Sequence, residues 1–180
     1  IGRDRHLAGD QGRRRIGVLA WWENGMPGMQ PGRPEWAFTF RELVRECGGE
    51  TRDEWVRYDL HPMDEGAGYA LFRELWMAHR EKPDGLVIWD DTLFRDFATA
   101  VQEIGIRVPE DVLVATLANK GSGMLYPFPT VRLEYDSDEV GHALGNLLIR
   151  RLGKEPVPAE TIKIPFRWVG RETNQGSGFS

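Results

Sequence analysis

Two adjacent aspartates, Asp90 and Asp91, follow the apolar run GLVIW at residues 85–89. A carboxylate at the end of a strand can accept hydrogen bonds from a polyol, hold a cation, or cap the helix that follows. The chain also carries seven tryptophans in 180 residues. Flat apolar rings with a polar edge suit sugars and other ring-shaped ligands. Trp22 and Trp89 stand at the ends of expected strands, and Trp36 opens an expected helix beside a loop, so these three are candidates for ligand contact. Trp55, Trp76 and Trp168 read as packing residues.

Other chemistry is poorly represented. The histidines His6, His61, His79 and His142 lack metal-ligand spacing. The single cysteine, Cys47, leaves neither an internal disulfide nor a zinc cluster. There is no nucleophile elbow, no P-loop and no Gly-x-Gly-x-x-Gly after a strand. Gly121-Ser122-Gly123 follows a strand but reads as a loop, and Arg13-Arg14-Arg15 reads as a solvated turn. An enzyme using Asp90 or Asp91 as a base needs a second titratable group, and the sequence names none. The expectation is a binding protein, not an enzyme, with no cofactor and no metal.

The composition agrees. The formal net charge is -5, with 41% hydrophobic and 28% charged residues, as in ordinary globular proteins. The longest apolar runs are far short of the ~20 residues a membrane span needs. An acidic chain does not by itself grip nucleic acid, because phosphate neutralisation needs clustered Lys and Arg. No secretory signal is seen, so the cytoplasm is the expected compartment, and the first residues suggest a fragment of a longer protein.

The elements that must position the aspartates alternate between strand and helix. Residues 15–22 read as a buried strand entering a Gly- and Pro-rich loop. Trp36, Phe40, Leu43, Val44 and Cys47 fall at helical spacing, stopped by Gly48-Gly49. Residues 54–60 are β-rich, and Leu71, Leu75 and Ala78 mark a second helix. The clearest unit is strand 85–89, a helix carrying Phe94, Phe97, Val101 and Ile104 that stops at Gly105, and strand 112–118. Short links make this a parallel pair with a right-handed crossover. Parallel strands need both faces covered, so the fold class is α/β, with a parallel sheet in three layers. A strand at 130–135, a helix at 137–152 behind Asp136 and Glu139, and a strand at 162–169 complete the chain.

Several of these segments, taken in order, resemble the effector-binding region of the lac-repressor/gal-repressor family of bacterial transcription regulators. The run from Pro83, PDGLVIWDD, is similar to the family's strand and Asn-Asp pair. Gly105-Ile106-Arg107-Val108-Pro109-Glu110-Asp111-Val112 is similar to its Gly-Ile-x-Val-Pro-x-Asp-Val. Further matches are Arg13-Arg14-Arg15-Ile16-Gly17, Gly68-Tyr69, Pro129-Thr130-Val131-Arg132, Gly141, and Pro165 through Arg171-Glu172-Thr173. The family's Gly-Phe/Tyr-Asp-Asp reads Thr116-Leu117-Ala118-Asn119 here, so one frequent ligand-binding aspartate is absent. Trp36 with Thr39-Phe40 stands where many members carry Arg before Gly-Phe.

The resemblance implies a periplasmic-binding-protein-like type I lobe with an incomplete second lobe. Residues 12–127 and 160–173 form the carboxyl-terminal lobe, 130–153 belong to the amino-terminal lobe, and 1–11 and 174–180 are loose ends. The DNA-binding domain is absent from this chain. A small, sugar-like effector is expected in the cleft, contacted by Trp22, Trp36, Asp90, Asp91 and Asn119. Operator DNA is bound through the missing domain, the chain pairs as a homodimer, and no membrane is involved. A transport-type solute receptor for a sugar is the alternative. Val140, Leu144, Leu147 and Leu148 are expected to form an exposed stripe seeking another surface.

Overall fold

The computed structural model describes residues 12–21, 34–60, 65–153 and 162–170. Strand β1 (Ile16–Trp21) leads to helix α1 (Glu35–Glu46), then β2 (Val56–Leu60) and α2 (Ala67–Ala78). The unit β3 (Gly85–Ile88), α3 (Asp91–Ile104) and β4 (Leu113–Asn119) follows as expected. The chain closes with β5 (Val131–Tyr135), α4 (Ser137–Leu152) and β6 (Phe166–Val169). The last strand is thus shorter than the expected 162–169, and residues 53–55 form a short 3₁₀ turn ahead of β2.

One six-stranded sheet has the order β2-β1-β3-β4-β5-β6. Its first five strands are mutually parallel, and β6 alone runs antiparallel, beside β5. Helices α2 and α3 cover one face, with Phe72, Leu75, Leu86, Ile88, Phe94 and Phe97 in the main core. Gly68 lets these two helices approach: a Cβ there would lie 2.9 Å from the Asp96 Cβ and 3.1 Å from Leu93 Cδ2. Gly105 ends α3 in the left-handed conformation that glycine adopts without a steric penalty.

On the opposite face α1 packs Trp36, Ala37 and Phe40 against Val18, Ala20, Val56 and Tyr58. Leu43 and Cys47, expected on that helix's inner side, are exposed. Among the described residues the helical layer is incomplete here. Among the described residues an apolar groove of about 190 Å³ lies open over β3 to β6, lined by Val87, Leu113, Ala115, Leu117, Leu133 and Trp168. Burial along β4 alternates accordingly, with Val114, Thr116 and Ala118 buried and their neighbours only half so.

Two expectations need correction. Residues 131–135, assigned to the other lobe together with the helix that follows, form the fifth strand of this sheet. The parallel ladder from Ala115–Val131 to Asn119–Tyr135 holds them there, and only α4 leaves the sheet. The basic run is also not a free turn. The Asp84 carboxylate accepts from the backbone of Arg14 and Arg15 and pairs with the Arg15 guanidinium at 3.1 Å. Arg13 donates to the Glu110 carbonyl at 2.8 Å. The run clamps the start of β1 to the segments before β3 and β4.

Helix α4 has no buried residue, and Leu144 and Leu148 are more than 60% exposed. Val140 and Leu147, the other members of the expected stripe, are partly covered.

Candidate ligand site at the carboxyl edge

The chain leaves β1 for β2 on one side and reaches β3 on the other. The connecting helices α1 and α2 therefore lie on opposite faces, and a crevice opens at the carboxyl ends of β1 and β3. Trp21 ends β1, and Trp89 and Asp90 follow β3. All three flank that crevice.

Asp90 does two jobs there. Its Oδ1 accepts from the Leu93 backbone N–H at 2.9 Å, which makes it the N-cap of α3. Its Oδ2 accepts the indole N–H of Trp21, joining β1 to the start of α3 across the crevice. The expected contact residue Trp22 lies outside the described residues; the indole seen to meet Asp90 is that of Trp21, its neighbour in sequence.

Beside this bond stands an aromatic wall. The rings of Trp36 and Trp89 lie 4.9 Å apart, tilted by 36°. Tyr58 meets Trp36 edge-on at 5.7 Å. Trp36 is half-buried through α1, while Trp89 is 36% exposed and offers a ring surface to solvent.

Asp91 has a different setting. It is 8% exposed, and its carboxylate is fully engaged. Oδ2 accepts from the Asn119 backbone N–H at 3.1 Å and from Asn119 Nδ2 at 3.2 Å. Oδ1 accepts from the Tyr126 hydroxyl at 2.9 Å. A buried carboxylate needs such donors, because desolvation without them is costly. Burial, and then the bond to Asp91, pushes the Tyr126 phenol above its ordinary pKa, so it remains a donor. Phe94 packs on the Tyr126 ring at 4.8 Å, and the Arg132 guanidinium lies 4.4 Å over that ring.

Asn119 uses both ends of its amide. Its Oδ1 accepts from Ser137 Oγ at 3.1 Å. Next to it Lys120 pairs with Asp136 at 2.6 Å, which holds that carboxyl below its usual range and raises the lysine. The structure thus gathers Asp90, Asp91 and Asn119 at one edge and sets Trp36 against Trp89 at the same edge. Tyr126 and Ser137 complete the polar cluster, and sequence spacing gave no sign of either. No group of three or more His, Cys, Asp or Glu among the described residues is placed to hold a metal ion. No described helix is long and apolar enough to cross a membrane.

Residues 5–174 match the family described as a periplasmic binding protein-like domain. The chain belongs to that family. It is 25% identical over 170 residues to the HTH-type transcriptional repressor PurR of Mannheimia succiniciproducens, covering 94% of this chain and 48% of the repressor. The solved complex of the transcriptional regulator CelR with cellobiose superposes with a TM-score of 0.67 at 23% identity, over 91% of this chain and 48% of that one. A transcriptional regulator, LacI, from Bacillus cereus subsp. cytotoxis gives 0.69 at 17% identity, over 94% and 57%. The chain therefore spans about half the length of the relatives it matches. These comparisons bear out the resemblance to the effector-binding region of lac-repressor/gal-repressor regulators and the mostly parallel α/β fold.

Proposed function

We propose that this chain binds a small, polar, ring-shaped effector at the carboxyl edge of its sheet, as part of a sugar-responsive transcription regulator. The observation that carries the reading is the Trp21–Asp90 bond across the β1/β3 crevice, with the Trp36–Trp89 pair beside it. The exposed indole face stacks on the apolar side of a ring, and the carboxylate of Asp90 accepts its hydroxyls. Asp91 and Asn119, engaged with one another, shape the floor. The role is binding and not turnover. The CelR relative, solved with cellobiose, supports a saccharide as the first class to try.

The topology supports a two-lobed whole. Both the end of β5 and the start of β6 lie at the carboxyl edge, since Tyr135 pairs with Phe166. Residues 136–153, with α4, thus leave the sheet at that edge, on the side of the site. In this proposal α4 belongs to a second lobe that closes the cleft, and its bare leucines pack there. Occupancy shifts the lobe arrangement only by the ligand's differential affinity for the two states. That shift reaches operator DNA through a domain outside this chain, in a homodimer in the cytoplasm. The repressor relatives favour this reading over a solute receptor of the transport type.

The test is calorimetry and tryptophan fluorescence with a saccharide panel including cellobiose. Half a cleft is expected to bind weakly, with Kd near about 1 mM, worth roughly 4 kcal/mol. Asp90→Ala should abolish the response. Tight binding by this chain alone contradicts the half-cleft, and a panel without any response overturns the saccharide reading.

A further inference from the structure

Of the helices that begin at the carboxyl edge, α3 and α4 have a single side chain standing between their first residues. Asp91 opens α3 and Ser137 opens α4. Asn119, the last residue of β4, donates to the Asp91 carboxylate from Nδ2 at 3.2 Å and from its backbone at 3.1 Å. It accepts from Ser137 Oγ at 3.1 Å. The orientation of the amide is forced: a carboxylate only accepts, so Nδ2 must face Asp91, and Oδ1 is left for the hydroxyl.

Helix α4 has no buried residue, so packing does little to fix its direction. What surrounds its first turn therefore matters more. Asp136 caps the Asp138 N–H at 3.0 Å and pairs with Lys120, while Ser137 reaches Asn119. Tyr126 holds the far side of Asp91, so a chain of bonds runs from Tyr126 through Asp91 and Asn119 to Ser137.

We infer that Asn119 and Ser137 are a positioning pair that ties the direction of α4 to the state of the Asp91 carboxylate at the start of α3. Their role in effector response rests on the reading of this edge as the ligand site. A guest hydroxyl that bonds Asp91 or the Asn119 amide competes with these bonds, and the hold on Ser137 is then lost. The ligand's choice between two directions of α4 is the quantity that matters.

The coupling is testable without any ligand. Spin labels are placed at Gln102→Cys on α3 and Asn146→Cys on α4, both exposed, with Cys47→Ser, and the interspin distance is measured in the full chain. The parent should give one narrow distribution. Ser137→Ala and Asn119→Ala should each shift and broaden it, the double variant should do no more than either, and Ser137→Thr should restore the narrow form. Far-ultraviolet melting shows whether each variant folds, and Ser137, being exposed, provides the variant least able to unfold the chain. A distribution unmoved by Ser137→Ala, or additive effects in the double variant, overturns the coupling whether or not any sugar binds. Adding cellobiose to the parent is a separate arm. A shift like that of Ser137→Ala supports the link to the site. An unmoved distribution despite a tryptophan response to cellobiose overturns the link to effector, with the binding reading intact.

Discussion

Tyr126 and Asp91 lie 35 positions apart in sequence and meet through one hydrogen bond of 2.9 Å. The phenol brings its proton to a carboxylate that the fold has removed from water. With the two bonds from Asn119, it gives Asp91 three donors. The start of α3 is thus fixed from β4 and from the loop after it.

Tyr126→Phe removes one of those donors and leaves the others. Depriving a buried charged acceptor of a partner costs about 1–3 kcal/mol. Urea unfolding should show the unfolding free energy lowered by that amount, seen as a lower midpoint with the slope unchanged. An unchanged midpoint would mean that solvent already reaches Asp91.

Trp36 is held between Trp89 and Tyr58, so Trp36→Ala removes two ring contacts at once. A fully buried Trp costs roughly 3–5 kcal/mol on truncation to Ala. Trp36 is half-buried, so the loss in urea unfolding should fall below that range. The saccharide-induced change in tryptophan fluorescence should disappear together with the stacked pair.

Gly68→Ala places a methyl group 2.9 Å from the Asp96 Cβ and 3.2 Å from the Leu93 carbonyl. These atoms belong to α3 and cannot swing aside, so the helices must part. Overpacking of this kind costs about 1–3 kcal/mol. Thermal melting should show the loss, while the same change at Gly141, where nothing lies within 4 Å, should be stabilising or neutral.

The pairs Arg107–Asp111 and Lys120–Asp136 make acid sensitivity predictable in sign. The Arg107 bond holds the Asp111 carboxyl below its ordinary value, and the Lys120 bond does the same for Asp136. A carboxyl whose pKa is lowered by folding stabilises the native state above its unfolded pKa, about 3.9. That contribution is lost as pH falls through the lower, folded value. Urea midpoints measured from pH 6 down to pH 2.5 should fall, and the fall should be shallower in Asp111→Asn. A midpoint rising on acidification would contradict the assignment.

Much of the frame was legible in the residues. The unbroken run GLVIW, the cap at Asp90 and the stop at Gly105 each constrain the backbone locally, and β3, α3 and β4 stand where those signals put them. Gathering Asp90, Asp91 and Asn119 followed from parallel strands ending on one edge. What escaped depends on distant partners. Tyr126 sits in a loop with no periodicity, and it meets Asp91 where its ring packs on Phe94, far away in sequence. The register shift between Leu19 and Trp21 at the end of β1, which decides where the Trp21 indole points, is invisible in sequence. β5 was grouped with α4 because they are contiguous, whereas the ladder to β4 places the strand in the sheet.

The tilt of 36° between the Trp36 and Trp89 rings has an optical consequence. Two indoles at that separation share their excited states, and a fixed, non-coplanar pair absorbs the two hands of circularly polarised light unequally. The rim of the crevice therefore carries its own chiral signature in the near ultraviolet, one that changes whenever a guest alters the angle between the rings.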